Sequence, residues 1–143
     1  MRFERLRYSG LDTNVLVAAF TTRGFCYDIL QVVLAQHRLL VGKTVLEELE
    51  RILVDKLGVP MEDVSHVVGF VREHAEVVVP IEPASWPSTD PADRWIAAAA
   101  LRGAADLLVT GDKDFLEAET VPGLRIVSPR GLWEWLRTEN ADC

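Results

Sequence analysis

Short strand-like segments alternate with helix-like segments along the chain, and this alternation limits the possible folds more than any other feature. Strands are expected at residues 5–11, 39–41, 77–79, 106–110 and 124–127. Helical spacing of apolar residues predicts helices at residues 14–20, 26–36, 44–57, 61–75, 91–102 and 129–136. Strands that alternate with helices form a parallel sheet covered on both faces. The sequence therefore predicts an α/β fold with about five strands.

The length and composition fit one ordinary globular domain. The chain has 143 residues, 49% of them hydrophobic and 26% charged, and residues 1–143 are expected to form a single domain. Cys26 and Cys143 share no motif spacing, so a disulfide framework is not expected. No apolar run has the length of a signal peptide or a membrane span. These features favour a cytoplasmic protein without a membrane partner.

The net charge bears on possible nucleic-acid partners. With 15 Lys and Arg against 22 Asp and Glu, the chain carries a formal charge of −7. That balance argues against tight, nonspecific binding to nucleic acid. It does not exclude a nuclease, because acids that cluster around divalent cations add formal negative charge that the cations offset locally.

Two aspartates directly follow predicted strands. Asp12 follows the first strand and Asp112 follows the fourth, after Gly111. In parallel α/β sheets, ligands bind beyond the carboxyl ends of the strands, so both carboxylates should lie at the same edge. Each could instead cap the helix that follows, because aspartate is favoured at that position.

Asp93 has the strongest physical argument for a functional role. On a helix that starts near Pro91, it shares a face with Ile96, Ala97 and Ala100. A carboxylate on such an apolar face needs a partner or a cation, since an unpaired buried charge is costly. The alternative is a first-turn acid that the helix dipole stabilises by about 0.3–1 kcal/mol.

Three glutamates compete on the third helix. Glu47 stands three residues after Thr44, which predicts a capping box. Glu48 and Glu50 flank opposite sides of the apolar face, and helical geometry cannot choose between them. From spacing alone, an ordinary solvated face is the better interpretation of all three glutamates.

Acids gathered in this way indicate a metal site. Like charges in a cleft raise one another's pKa values unless a cation neutralises them. Mg²⁺ and Mn²⁺ prefer oxygen ligands, mostly carboxylates and water. No Cys/His cluster has zinc spacing, and the scattered His37, His66 and His74 are interpreted as surface or packing residues.

Four motifs occur in order along the chain: LDTNVL (11–16), LEELERIL (46–53), DPADRWIAAA (90–99) and LVTGDKDF (108–115). Together they resemble the PIN domain, and in particular the VapC-like ribonuclease toxins of toxin–antitoxin pairs, and the likeness covers residues 6–137. The resemblance implies a three-layer α/β/α sandwich and a catalytic set of Asp12, Glu48, Asp93 and Asp112. It also implies that Thr13, Asn14, Thr110 and Asp114 assist, holding ligands or phosphate.

The resemblance further implies cofactors and partners. Mg²⁺ or Mn²⁺ would be held by Asp12, Asp93 and Asp112, RNA would be the substrate, and a small antitoxin and a homodimer would be the protein partners. Lys43, Arg94, Lys113 and Arg130 lie near the expected edge and could meet phosphates, or could be ordinary surface charges.

Two other functions stay open on the sequence. A phosphatase of the haloacid dehalogenase type also places an aspartate after its first strand, but it needs a second acid where this chain has Asn14. A catalytically silent PIN-like binding module would keep the fold and act through partners alone.

Overall fold

The computed structural model describes residues 8–22, 24–84, 91–113, 116 and 124–141. The strands are β1 (Tyr8–Leu11), β2 (Arg38–Gly42), β3 (Ala75–Val78), β4 (Leu107–Val109) and β5 (Arg125–Val127). The helices are α1 (Thr13–Thr21), α2 (Phe25–Gln36), α3 (Lys43–Arg51), α4 (Met61–His74), α5 (Pro91–Arg102) and α6 (Pro129–Ala141), and a π-helical segment (Ile52–Lys56) extends α3. Residues 5–7 of the first expected strand and residues 85–90 of the loop before α5 lie outside the described residues.

The five strands form one parallel sheet in the order β3-β2-β1-β4-β5. This confirms the predicted α/β class and the three-layer α/β/α sandwich. β1 is central, with β2 on one side and β4 on the other. From β1 the chain adds β2 and then β3 on one side of the sheet, and afterwards crosses over to add β4 and β5 on the other side. Such a reversal of the strand order opens a crevice at the carboxyl ends of the strands, where α/β proteins bind ligands.

The apolar faces predicted from periodicity form the core. Ile29, Leu30 and Val33 of α2 are buried, as are Val45, Leu46 and Leu49 of α3. Helix α5 packs against β2, β3 and β4, and α2 packs against α1 and α6. Within the described ranges no single helix is long and apolar enough to cross a bilayer, and only α1 and α2 counted together, as a bent pair, meet that test.

A glycine lets α5 approach the sheet closely. A Cβ atom built on Gly42, the last residue of β2, would lie 2.8 Å from the Cβ of Ala99 on α5. Any larger residue would push α5 away from the end of β2. The close approach joins the end of β2, where α3 begins, to Ala99 of α5, and α3 and α5 pack against each other.

The third helix differs from the sequence prediction at both ends. The predicted capping box is wrong: Gly42 is the N-cap, α3 begins at Lys43, and no side chain caps it. The α-helix ends at Arg51, because the Leu57 N–H donates to the Ile52 carbonyl at 3.1 Å, a π-type hydrogen bond. Gly58 then turns the chain with a φ of +61°, a conformation that costs glycine little. The extension keeps Leu53 buried.

Candidate functional site

Asp12 is fixed at the junction between β1 and α1. Its backbone N–H donates to the Val109 carbonyl at 2.9 Å, which extends the pairing of β1 with β4 by one residue. Its carbonyl accepts the Leu16 N–H at 3.1 Å, the first hydrogen bond of α1. Asp12 is therefore the N-cap residue, but its side chain makes no capping hydrogen bond, and only 5% of the residue is exposed.

Thr110 joins the two strand ends through its hydroxyl. Its Oγ1 donates to Oδ2 of Asp12 at 2.5 Å and accepts the backbone N–H of Asp112 at 3.0 Å. The Thr110 N–H donates to the Val127 carbonyl at 3.0 Å, which anchors the residue to β5. We call the group Asp12, Thr110 and Asp112 the β1/β4 edge. It lies at the point where the strand order reverses.

The β1/β4 edge raises the pKa of Asp12. Burial is the main cause, because it penalises the charged carboxylate, and the negative charge of Asp112 acts in the same direction. The Thr110 hydroxyl and the backbone amides of Thr13 and Asn14 lower the pKa but do not cancel the increase. A cation bound between the two aspartates would relieve both unfavourable effects.

Thr13 adds an unsatisfied oxygen beside Asp12. Its hydroxyl is buried and has no hydrogen-bond partner among the described residues, and only 2% of the residue is exposed. A buried polar group without a partner costs about 1–3 kcal/mol. The Asp12 and Asp112 carboxylates at the β1/β4 edge are oxygen donors, which suit a hard cation such as Mg²⁺ or Mn²⁺. Asn14, by contrast, is exposed.

Glu48 lies in an open cleft between two helices. This α3/α5 cleft has a volume of about 270 Å³ and is lined by Thr44, Glu47, Glu48, Arg51, Trp95 and Ile96. Glu48 is half-buried, whereas Glu50 is exposed and does not line the cleft. The packing of α3 against α5 thus separates two glutamates that the sequence could not.

Asp93 is buried on α5, with 6% of the residue exposed. Ile96, Ala97 and Ala100 are buried too, so the apolar face predicted from the sequence forms as expected. Ile96 also lines the α3/α5 cleft, which places Asp93 one turn from it. The neighbouring Arg94 donates from Nε to the Ala84 carbonyl at 3.2 Å, which ties α5 to the residues before it.

The predicted residues are thus brought together only in part. Asp12, Thr110 and Asp112 interact directly, and Thr13 follows Asp12 in the chain. Glu48 lies in the α3/α5 cleft and Asp93 on the buried face of α5. In the part of the chain that the structure describes, no three Asp, Glu, His or Cys side chains are close enough to hold a metal ion as a group. Asp114 lies outside the described residues.

One buried polar pair was not anticipated from the sequence. The hydroxyl oxygen of Ser9, on β1, lies 2.7 Å from Nδ1 of His37. The Trp135 ring packs against the His37 imidazole, with ring centroids 5.9 Å apart. His37 precedes β2, so the pair lies at the amino edge of the sheet, away from the β1/β4 edge. His66 and His74 are exposed. The interpretation of the histidines as packing or surface residues fits all three positions.

Comparison with known proteins identifies a family. The family model described as PIN domain matches residues 11–114, most of the chain. One chain of VapBC2 from Rickettsia felis, in a crystal structure bound to a DNA fragment from the promoter, has a similar fold with a TM-score of 0.63. The two chains are 18% identical, and the alignment covers 85% of this chain and 98% of the other. The search among curated proteins found no match.

Proposed function

The chain belongs to the PIN-domain family, and from that premise we propose that it is a metal-dependent endoribonuclease, the toxin of a toxin–antitoxin pair. The observation that carries the proposal is the buried carboxylate of Asp12, held by Thr110 at the point where the strand order reverses. Its pKa is raised by burial and by Asp112. Perturbed carboxylates in such a crevice are typical of functional sites.

In this proposal Asp12, Asp93 and Asp112 hold Mg²⁺ or Mn²⁺, directly or through water. Asp12 is held in place for this role, because the Thr110 hydroxyl donates to its Oδ2. Thr13, the next residue in the chain, adds a buried hydroxyl that has no hydrogen-bond partner among the described residues. A bound divalent cation would activate a water molecule for attack on phosphorus and offset the negative charge that develops on the phosphate.

The remaining predicted residues act on water and substrate. Glu48 faces the α3/α5 cleft, from which it orients the attacking water and accepts its proton. Asn14 and Lys113 are exposed beside Asp12 and Asp112 and meet the phosphates of the RNA. Asp114 is an auxiliary acid.

The proposed partners follow from the fold similarity and the family. VapBC2 of Rickettsia felis was crystallised as a complex with a promoter DNA fragment, and one of its chains has the fold of this protein. We propose that a small antitoxin protein likewise binds this chain and covers its acidic edge, that the chain pairs as a homodimer, and that it acts in the cytoplasm.

Incubation of the purified protein with RNA in Mn²⁺ or Mg²⁺ tests the proposal. Wild type should cut RNA internally, EDTA should stop the cleavage, and Asp12→Asn should abolish it. Glu50→Gln is the matched control, because Glu50 is an exposed acid on the same helix as Glu48. Intact RNA with wild type, under both metals, would favour the silent binding module. The family assignment gives the phosphatase alternative no support.

A further inference from the structure

An exposed aromatic cluster lies on helices α2 and α6. The rings of Phe25 and Trp133 meet edge to face with centroids 6.1 Å apart, and the guanidinium of Arg130 lies 5.8 Å from the centroid of the Phe25 ring. Both aromatic residues are 38% exposed. We call these three residues the Phe25–Trp133 patch. Large aromatic side chains that stay together at the surface mark interaction sites more often than isolated ones do.

The patch adjoins the β1/β4 edge. Helix α6 begins at Pro129, two residues after β5 ends at the same carboxyl edge as β1 and β4, and Arg130 is in its first turn. Neighbouring strands are about 4.8 Å apart, so the end of β5 is about 10 Å from the end of β1. Lys113, which is exposed, follows Asp112 on the intervening strand end. Two exposed basic residues, Lys113 and Arg130, thus follow the ends of β4 and β5.

The charges on α6 favour an anionic, planar ligand. Arg130, Trp133 and Arg137 are separated by three and four residues, so they lie on one face of the helix, and both arginines are exposed. Glu134 is the one acid beside them on the described part of this face. The chain as a whole carries −7, so overall charge cannot attract RNA. Stacking on an aromatic ring gives affinity for a nucleic acid without needing net positive charge.

We infer that the Phe25–Trp133 patch holds an unpaired nucleobase of the RNA substrate, stacked on Trp133, with Arg130 on the adjoining phosphate. The inference rests on the proposed nuclease function and deepens it, since it places a base-stacking site for the RNA on α2 and α6. Unpaired bases are the parts of RNA that aromatic side chains can reach, whereas paired bases in an A-form duplex are not accessible in this way. Phe25 supports the Trp133 ring from the side.

Binding measured without cleavage tests this directly. A 5′-labelled single-stranded RNA of about ten nucleotides is titrated with the protein in EDTA, and affinity is followed by fluorescence anisotropy. Trp133→Leu keeps apolar bulk against Phe25 but removes the π face, and Trp133→Phe restores one. We expect Trp133→Leu to weaken binding about 5- to 100-fold and Trp133→Phe to retain most of the affinity. Arg130→Ala should weaken binding less.

Matched controls separate stacking from general surface effects. Ile81→Ala removes an apolar side chain that is 74% exposed, and Arg125→Ala removes an exposed arginine at the opposite, amino end of β5. Both should bind RNA like wild type. A fully paired RNA hairpin with a minimal loop should bind wild type and Trp133→Leu equally weakly. Thermal melting of each variant identifies any loss of folding.

The possible outcomes distinguish this inference from the proposed function. One outcome is that wild type and a folded Trp133→Leu variant bind single-stranded RNA with equal affinity while wild type still cleaves RNA in Mn²⁺. That result would overturn the inferred base-stacking site and would leave the proposed nuclease function standing. A protein–protein contact would instead appear as changed sedimentation of Trp133→Leu with unchanged RNA affinity, and would also overturn the inference. A wild type that neither binds nor cuts RNA would overturn both.

Discussion

The β1/β4 edge and the α3/α5 cleft both contain carboxylates, but they hold them in opposite ways. At the edge, Asp12 is buried and hydrogen-bonded to Thr110, and its surroundings raise its pKa. In the cleft, Glu48 is half-buried and Glu47 exposed, and both line an open volume of about 270 Å³. An acid that folding keeps buried despite the energetic cost is a stronger sign of function than an acid left near solvent.

The two regions also differ in how firmly their atoms are held and in how open they are to solvent. The edge is built on hydrogen-bonded strand ends, so its atoms are held in place by the sheet. The cleft lies between two helices and is open to solvent. We expect the edge to fix the ligand geometry and the cleft to admit water and substrate.

The largest expected effect is on catalysis. Asp12→Asn should lower kcat about 1000-fold, which corresponds to about 4 kcal/mol of transition-state stabilisation. Glu48→Gln should lower it about 10- to 100-fold, because that residue acts on water and not as a main metal ligand. Single-turnover cleavage of a labelled RNA measures both. Equal losses for the two variants, or a comparable loss for Glu50→Gln, would break the distinction between the edge and the cleft.

Metal binding should be visible in thermal stability. At 100 times its dissociation constant a bound ion stabilises the folded state by about 2.7 kcal/mol, which raises the Tm of wild type by roughly 5–10 °C. Asp12→Asn should abolish this increase. Glu47→Gln, in the cleft, should retain it. A Tm that rises equally in Asp12→Asn would place the ion elsewhere.

Loss of the Thr110 hydroxyl should affect stability and pH dependence together. Thr110→Val removes the donor to Asp12 and the acceptor for the Asp112 N–H, and should destabilise the fold by about 1–3 kcal/mol in urea unfolding. The lost hydrogen bond raises the pKa of Asp12 further, so the acid limb of the activity profile should move to higher pH. Thr110→Ser should restore both.

A matched threonine in the cleft provides the comparison. Thr44 is exposed and lines the cleft, so Thr44→Val should change stability by less than about 0.5 kcal/mol. If Thr44→Val and Thr110→Val were equally destabilising, the edge would hold no special hydrogen-bond arrangement.

The smallest effect concerns Asp12 without metal. Because its folded-state pKa is raised above 3.8, wild type loses stability as the pH rises from about that value through the folded pKa. Each unit of increase costs about 1.4 kcal/mol. In EDTA, the Tm of Asp12→Asn should therefore equal that of wild type below about pH 3.8. At neutral pH the Tm of Asp12→Asn should be higher than that of wild type. A lower Tm for Asp12→Asn at neutral pH would contradict the raised pKa.

Much of the fold could be predicted because it depends on local pattern. The alternation of strands and helices was enough to derive the parallel sheet, and the spacing of Ile96, Ala97 and Ala100 was enough to predict the buried face that carries Asp93. The predicted capping box of Thr44 and Glu47 was wrong, because the N-cap is Gly42 at the end of β2, two residues before Thr44. Element boundaries depend on tertiary packing as well as on propensity.

The sequence by itself determined the class of the fold, the resemblance to the PIN domain and the placement of Asp12 and Asp112 after strands, since these follow from residue order and periodicity. Only the tertiary structure decided that Thr110 holds Asp12, that Glu48 and not Glu50 lines a cleft, and that Phe25 meets Trp133. Those contacts join residues far apart in the chain, 98 positions apart for Asp12 and Thr110. No local pattern encodes such distances, because they depend on how the helices pack on the sheet.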